Sequence, residues 1–183
     1  MSSSCFIDHL ALLENRALQI QLDHFKIPPQ SRGRTFYAME LVGETGELIN
    51  ACKKFVRTSL AHRKDRQARS LIPEEAADSL VALMLVKLAA GDSRRAAPAC
   101  PTTVPRNDVD WLHRCLSSLA LKSAELYARE SVVSSVPDFN LDDYAAIVSH
   151  LLLVASFFEF HLEQAVHDKL DRIIVKVEAG YYD

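Results

Sequence analysis

The chain has 183 residues, of which 49% are hydrophobic and 25% are charged. These values are typical of a globular chain long enough for one ordinary domain, and they exclude a disordered one. The formal net charge of -3 provides no bulk attraction for nucleic acid or for an anionic membrane, so we expect neither as a partner.

Cysteine spacing and the N-terminal residues point to a cytoplasmic protein. The four cysteines are widely spaced: Cys5, Cys52, Cys100 and Cys115. This spacing predicts neither a zinc site nor a disulfide framework. The N-terminal stretch MSSSCFIDHLALLENR has acidic residues and no basic leader, so we expect no signal peptide. The longest apolar run, HLLLVASFFEFHL, is interrupted by charge and is short for a bilayer, so we predict no transmembrane helix.

Hydrophobic periodicity is helical almost throughout the chain. We predict a first helix over residues 6–25, ended by the prolines at 28 and 29, and a second from Arg34 or Thr35 to about Leu60. The basic stretch AHRKDRQARS follows as a loop or a frayed helix end. A third helix, PEEAADSLVALMLVKLAAGD, is predicted to have Pro73 and acidic residues in its first turn and Gly91 past its end.

The second half of the chain repeats this pattern after a linker. The stretch SRRAAPACPTTVPRND has three prolines and is either an ordered crossing or a mobile loop. Helices are predicted over 109–131, over 141–158 with Asn140 or Asp138 as the N-cap, and over 161–179. With no strand hairpin and no glycine-rich phosphate loop, the sequence predicts a single all-α domain over 1–183, a bundle of about six helices.

The second predicted helix has an unusual acidic stripe. Glu40, Glu44 and Glu47 lie on one face, and Gly43 and Gly46 lie in the helix interior. Like charges at this spacing cost roughly a few tenths of a kcal/mol per pair, and each glycine costs about 1 kcal/mol relative to alanine. A bound cation would offset the repulsion, and glycines would let a neighbouring helix or a ligand approach closely. The alternative is an ordinary solvated acidic face.

A second pair of carboxylates occurs in the next helix. Glu75 and Asp78 are one turn apart, directly before the apolar run LVALML, which must be core. If the two helices pack together, Glu44, Glu47 and this second pair can place four hard oxygen ligands around one ion. Magnesium prefers octahedral oxygen coordination, completed by water and substrate phosphates.

These motifs resemble those of a known enzyme family. E-x-x-E in ETGE followed by E-x-x-D in EEAAD is similar to the magnesium site of the MazG-like all-α nucleoside triphosphate pyrophosphohydrolases, which include the dimeric dUTPases and the dCTPase-type enzymes. The run ELVGETGELINACKKF resembles the family's E-L-x-G-E-x-G-E-L run with trailing lysines. Downstream, LVASFFEFHLEQAVHDKLDR resembles the family helix that has an L-E-x-A-x-x-x-K pattern.

The resemblance implies a reaction and a set of site residues. The reaction is hydrolysis of a nucleoside triphosphate to a monophosphate and pyrophosphate with Mg²⁺, for which Mn²⁺ can substitute. The implied metal ligands are four: Glu44, Glu47, Glu75 and Asp78. Either Glu44 or Glu47 is also the implied catalytic base.

Substrate-binding residues are expected close to the acidic cluster. Lys54 lies on the stripe of Glu44 and Glu47 and is the best placed to contact phosphate. Arg63 lies in the basic stretch, which either closes over the triphosphate or is a solvated loop. In the first helix, Gln19 and His24 lie near the position where members of the resembled family read the base, and a glutamine amide can pair with a base edge.

The chain departs from a single-module relative by about sixty residues inserted before the last helix pattern. LVGETGELINA aligns with LALKSAELYAR, and PEEAADSLVALMLVKLA aligns with LDDYAAIVSHLLLVASF, without gaps. The alignments pair Glu47 with Glu125, Glu75 with Asp143, Glu44 with Lys122 and Asp78 with Ala146. Residues 107–183 are therefore predicted to be a degenerate copy of the metal-binding module 1–98, joined to it by the linker 92–107, as in the duplicated dimeric dUTPases. The alternative is that any two amphipathic helices can be aligned this well without a duplication.

The functional expectation is thus a magnesium-dependent nucleoside triphosphate pyrophosphohydrolase, with a homodimer favoured over a tetramer if the duplication holds. A non-catalytic helical module that binds nucleotide or another protein is the alternative. The preferred base and sugar stay open.

Overall fold

The computed structural model describes residues 3–60, 66–99, 103–105, 108–132 and 139–181. Seven helices occur in this part of the chain: α1 (Ser3–Asp23), α2 (Pro29–Arg32), α3 (Arg34–Leu60), α4 (Arg66–Ala89), α5 (Val109–Val132), α6 (Leu141–Phe158) and α7 (Leu162–Glu178). No strand occurs in these ranges, so the predicted all-α helical bundle is confirmed. The short α2 was not predicted; it begins at a proline, whose fixed φ suits the first helical position.

Helix α4 is at the centre of the bundle. It packs against α1, α2, α3, α6 and α7. Every residue from Ser79 to Lys87 is buried. A helix with neighbours on all sides needs apolar residues all round, and this explains the run LVALML.

The start of α4 differs from the prediction. The helix begins at Arg66, so Pro73 lies inside it, and its first turn has no acidic residue. The proline removes one backbone donor, but the helix continues because Ile72 is fully buried and Leu71 packs against the core. The expectation that Glu74 and Glu75 are first-turn charges was therefore wrong.

A buried ion pair connects three helices. The Nζ atom of Lys87 on α4 lies 2.6 Å from Oε2 of Glu14 on α1. The hydroxyl of Tyr144 on α6 donates to the other oxygen of Glu14 at 2.6 Å. The Lys87 side chain is only 2% exposed, and burial raises the pKa of Tyr144 well above its usual value. Because each of these groups has a partner, the network can be buried without leaving an isolated charge.

Helix α6 begins as predicted. The side chain of Asn140 accepts hydrogen bonds from the backbone nitrogens of Asp142 and Asp143, at 3.0 and 3.2 Å. By length and composition α6 is apolar enough to cross a membrane, a test that core helices of soluble proteins also pass. In the bundle it packs against α4, α5 and α7.

The described part of the linker crosses the surface of the bundle in contact with its second half. The backbone nitrogen of Ala99 donates to Oγ of Ser149 at 2.8 Å, and Arg94 donates to the carbonyl oxygen of Phe139 at 2.6 Å. For residues 92–99, these contacts favour an ordered crossing over a mobile loop, whereas residues 100–102, 106 and 107 of the linker lie outside the described residues.

Candidate metal centre

The position of Glu44 follows from the buried stripe of α3. That stripe consists of Tyr37, Leu41, Thr45, Leu48 and Cys52. Glu44 lies directly beside it and is half-buried, whereas Glu40 and Glu47 lie farther round the helix and are exposed. Of the three glutamates in the acidic stripe, only the middle one is therefore half-buried against the neighbours of α3.

Glu75 and Asp78 are presented by α4 in the same way. Both are half-buried and flank the buried residues Ala76, Ala77 and Ser79. One carboxylate oxygen from each of Glu44, Glu75 and Asp78 lies within 4.8 Å of the others. Oxygens on opposite sides of one Mg²⁺ are about 4 Å apart, so these three ligands fit one ion after small side-chain adjustments. We call these three residues the carboxylate cluster.

Glu47 lies at the solvent edge of the carboxylate cluster rather than in it. Its side chain is exposed and does not belong to the group of mutually close oxygens. The charge of Glu47 nevertheless acts on the cluster, since it raises the pKa of both Glu44 and Glu75. The fourth expected ligand is thus the one most accessible to solvent.

Burial and mutual repulsion destabilise the ionised form of the carboxylate cluster. Burial, followed by the charges of Asp78 and Glu47, raises the pKa of Glu44 to about 7. Burial is also the main cause of the raised pKa of Glu75, with Glu47 next. Burial raises the pKa of Asp78 as well, although the hydrogen bond from Lys169 opposes it. A cation bound among these oxygens would relieve this repulsion.

Lys169 of α7 is a member of the site that we did not predict. Its Nζ atom donates a hydrogen bond to Oδ2 of Asp78 at 2.6 Å. The residue is the lysine of the L-E-x-A-x-x-x-K pattern in LEQAVHDK. The pattern was visible in the sequence, but its proximity to Asp78 depends on the packing of α4 against α7.

A cavity of about 410 Å³ extends from the carboxylate cluster. Glu44, Asp78 and Lys169 belong to its lining, and so do aromatic and polar side chains of α1, α2, α3 and the segment that follows α1: Gln21, His24, Phe25, Arg32, Phe36, Tyr37 and Glu40. Its volume is within the usual range for small-molecule sites. The cavity therefore joins charged groups to aromatic rings in one space.

The predicted substrate-binding residues are distributed unevenly around this cavity. His24 lines it, whereas Gln19 is exposed and is not part of the lining. Gln19 points to solvent because its neighbour Ile20 belongs to the buried stripe of α1, and the buried Gln21 lines the cavity instead. Lys54 is exposed and outside the lining, and Arg63 lies outside the described residues.

The two interior glycines of α3 have no close neighbour among the described residues. A Cβ atom added to Gly43 or to Gly46 meets nothing within 4 Å. Of the two alternatives for these glycines, no neighbouring helix approaches them in the described part of the chain, and the approach of a ligand stays a prediction. They lie on the exposed side of α3, away from its packed stripe.

No protein-family model matches the chain, and no curated protein or solved structure matches it significantly. The arrangement itself combines three hard oxygen ligands, an ammonium group and a cavity with aromatic walls. Such a site can bind a divalent cation together with a phosphorylated ligand that has a flat ring.

Proposed function

We propose that the chain is a magnesium-dependent nucleoside triphosphate pyrophosphohydrolase, which converts a ribo- or deoxyribonucleoside triphosphate to its monophosphate and pyrophosphate. The observation that carries the proposal is the convergence of Glu44, Glu75 and Asp78 beside a cavity of about 410 Å³ that Glu44, Asp78 and Lys169 line. An acidic cluster alone would not specify a substrate. The aromatic and amide groups in the same lining supply the reason to prefer a nucleotide.

Each group has a role that follows from its position. Glu44, Glu75 and Asp78 would hold the metal ion. Bound magnesium would neutralise phosphate charge and lower the pKa of the attacking water. The ammonium of Lys169 would pair with phosphate oxygens next to the ion. The exposed carboxylate of Glu47, whose charge raises the pKa of Glu44, would accept a proton from the attacking water.

The other part of the lining suits a nucleoside. The partly exposed Phe25 and Phe36 present rings on which a base can stack, and the buried Tyr37 lies behind them in the lining. The Gln21 amide offers both a donor and an acceptor for a base edge, and its Oε1 accepts a weak hydrogen bond from the Tyr37 hydroxyl at 3.5 Å. We therefore assign base recognition to Gln21 in preference to the exposed Gln19.

The test is pyrophosphate release from a panel of ribo- and deoxyribonucleoside triphosphates with magnesium. We expect turnover that needs the metal, disappears in Asp78→Asn and falls by about 10²–10⁴-fold in Glu47→Gln. Glu74→Gln is the matched control, because Glu74 lies on the same helix but pairs with Arg172 at 3.3 Å, outside the carboxylate cluster. It should keep most of the activity.

Two other outcomes would contradict the proposal in different ways. A magnesium-dependent rise in melting temperature without pyrophosphate release would identify a nucleotide- or metal-binding module that is not an enzyme. No turnover and no effect of magnesium on melting would mean that the carboxylate cluster is a solvated acidic surface. We expect the active unit to be a homodimer, which light scattering coupled to size-exclusion chromatography would measure.

A further inference from the structure

A pair of buried hydroxyl groups lies where the two halves of the chain meet. Thr45 on α3 and Ser123 on α5 are both buried, and their Oγ atoms are 3.2 Å apart. They are also equivalent residues when LVGETGELINA is aligned with LALKSAELYAR. In a two-fold arrangement, a residue meets its own equivalent only at the axis. The contact therefore places an approximate two-fold axis between α3 and α5.

The orientation of the two helices agrees with this axis. Arg34, at the start of α3, pairs with Glu130 near the end of α5 at 2.5 Å, so the helices run antiparallel. An axis perpendicular to two antiparallel helices exchanges one for the other. The counterpart of the carboxylate cluster should then lie where α5 meets α6.

Charged residues of the second half do meet at that place. Glu125 on α5 and Asp143 on α6 are the equivalents of Glu47 and Glu75. Lys122 donates to Oε2 of Glu125 at 2.8 Å, and its Nζ atom is 3.9 Å from Oδ1 of Asp143. Arg129 also pairs with Asp143. Two carboxylates from different helices are thus joined by cationic side chains of the chain itself.

The difference between the halves lies in two equivalent positions. Lys122 stands in place of Glu44, and Ala146 stands in place of Asp78. Of the three positions of the carboxylate cluster, the second half therefore keeps a carboxylate at one, Asp143. Lys122 contacts this carboxylate and that of Glu125, the equivalent of the exposed Glu47. Lys122 and Arg129 together bring two positive charges to Glu125 and Asp143. They therefore neutralise the two carboxylates as one divalent ion would.

We propose that Lys122, with Arg129, takes the place of a divalent cation in a second, degenerate carboxylate site, and that a carboxylate at position 122 turns this site into one that binds Mg²⁺ or Mn²⁺. The proposal takes the carboxylate cluster as its pattern and so rests on the proposed function. Its readout is ion binding in the second half, which requires no turnover. The two proposals can therefore fail separately.

The experiment counts bound Mn²⁺ by isothermal titration calorimetry in the wild type and in Lys122→Glu. We expect the variant to bind one Mn²⁺ ion more per chain than the wild type, because it presents carboxylates at positions 122, 125 and 143 and keeps one neighbouring cation, Arg129, where the wild type has two. Without metal its melting temperature should fall below that of the wild type. Mn²⁺ at about ten times its dissociation constant should raise the melting temperature of Lys122→Glu by on the order of 4 °C.

Arg114→Glu is the matched control, because it makes the same charge reversal at an exposed position on α5. It should gain no ion, so an equal gain in both variants would overturn the proposal. An unchanged ion count in Lys122→Glu would overturn it too, as would a variant that stays unfolded in Mn²⁺.

Lys122→Gln is a second test of the same proposal, since it removes the ammonium, adds no carboxylate and keeps Glu125 and Asp143. Mn²⁺ should stabilise this variant more than it stabilises the wild type. Equal stabilisation of the two proteins would contradict the role of Lys122.

Discussion

Replacing Gly43 and Gly46 by alanine should stabilise the protein. Both glycines lie inside α3, and an added Cβ atom meets nothing within 4 Å at either position. Glycine in a helix interior costs about 1 kcal/mol relative to alanine, because more backbone entropy is lost on folding. With no steric cost to offset it, the double substitution should add about 2 kcal/mol to the free energy of unfolding.

This gain is large enough to measure by thermal denaturation. For a chain of this size, 1 kcal/mol corresponds to about 2–4 °C, so the melting temperature should rise by about 4–8 °C. Urea unfolding at 25 °C should give the same ΔΔG without a change in m-value. A melting temperature that is unchanged or lower in the double variant would refute the reasoning, because it would mean that the exposed side of α3 is covered.

Gly33→Ala provides the opposite control. Gly33 ends α2 with φ 83° and ψ 161°, a conformation that is essentially restricted to glycine. Alanine there should cost about 1–3 kcal/mol, although it also meets no neighbouring atom. Comparing the substitutions separates backbone conformation from packing. If the double variant at positions 43 and 46 is more stable but loses turnover, the open space beside α3 is used by a ligand or by a second copy.

Three further predictions concern charged groups. The pKa of Glu44 is raised from 4.5 to about 7, so its stabilising contribution is fully present below pH 4.5 and is lost as the pH rises through 7. We expect Glu44 to lower the free energy of unfolding in urea by about 1–2 kcal/mol over this range, so the decrease should be smaller in Glu44→Gln, where Glu75 and Asp78 still have raised pKa values. Lys169→Met should bind Mn²⁺ at least as tightly as the wild type in calorimetry, because the ammonium no longer competes with the ion for Asp78. Its KM for the triphosphate should rise, because a phosphate-binding cation is lost. Lys87→Met should lower the free energy of unfolding in urea by about 3–5 kcal/mol, because it leaves Glu14 without its cation. Adding Glu14→Gln should recover part of this loss.

Each of these predictions has a clear contrary result. A pH dependence of stability that is undiminished in Glu44→Gln would mean that Glu44 does not contribute to it. Weaker Mn²⁺ binding by Lys169→Met would show that the lysine supports the ion rather than competing with it. A loss below about 1 kcal/mol in Lys87→Met would mean that Glu14 is solvated in the variant.

Features that depend on neighbours in sequence could be predicted well. The limits of α3 and α6 and the Asn140 cap agree with the prediction, because apolar periodicity and capping are local properties. The pairing of Glu44 with Glu75 and Asp78 also followed from spacing, once the two helices were assumed to pack. The start of α4 could not be predicted, because burial of Leu71 and Ile72 outweighs the local effect of Pro73.

The sequence by itself thus determined the helices and the acidic faces of α3 and α4. Only the tertiary structure decided which side chains complete the site. Lys169 reaches Asp78 across 91 residues of sequence because α7 packs on α4. Gln21 rather than Gln19 enters the cavity because of how α1 is rotated against the core. Contacts between distant helices depend on the packing of the whole bundle, and helical periodicity carries no information about them.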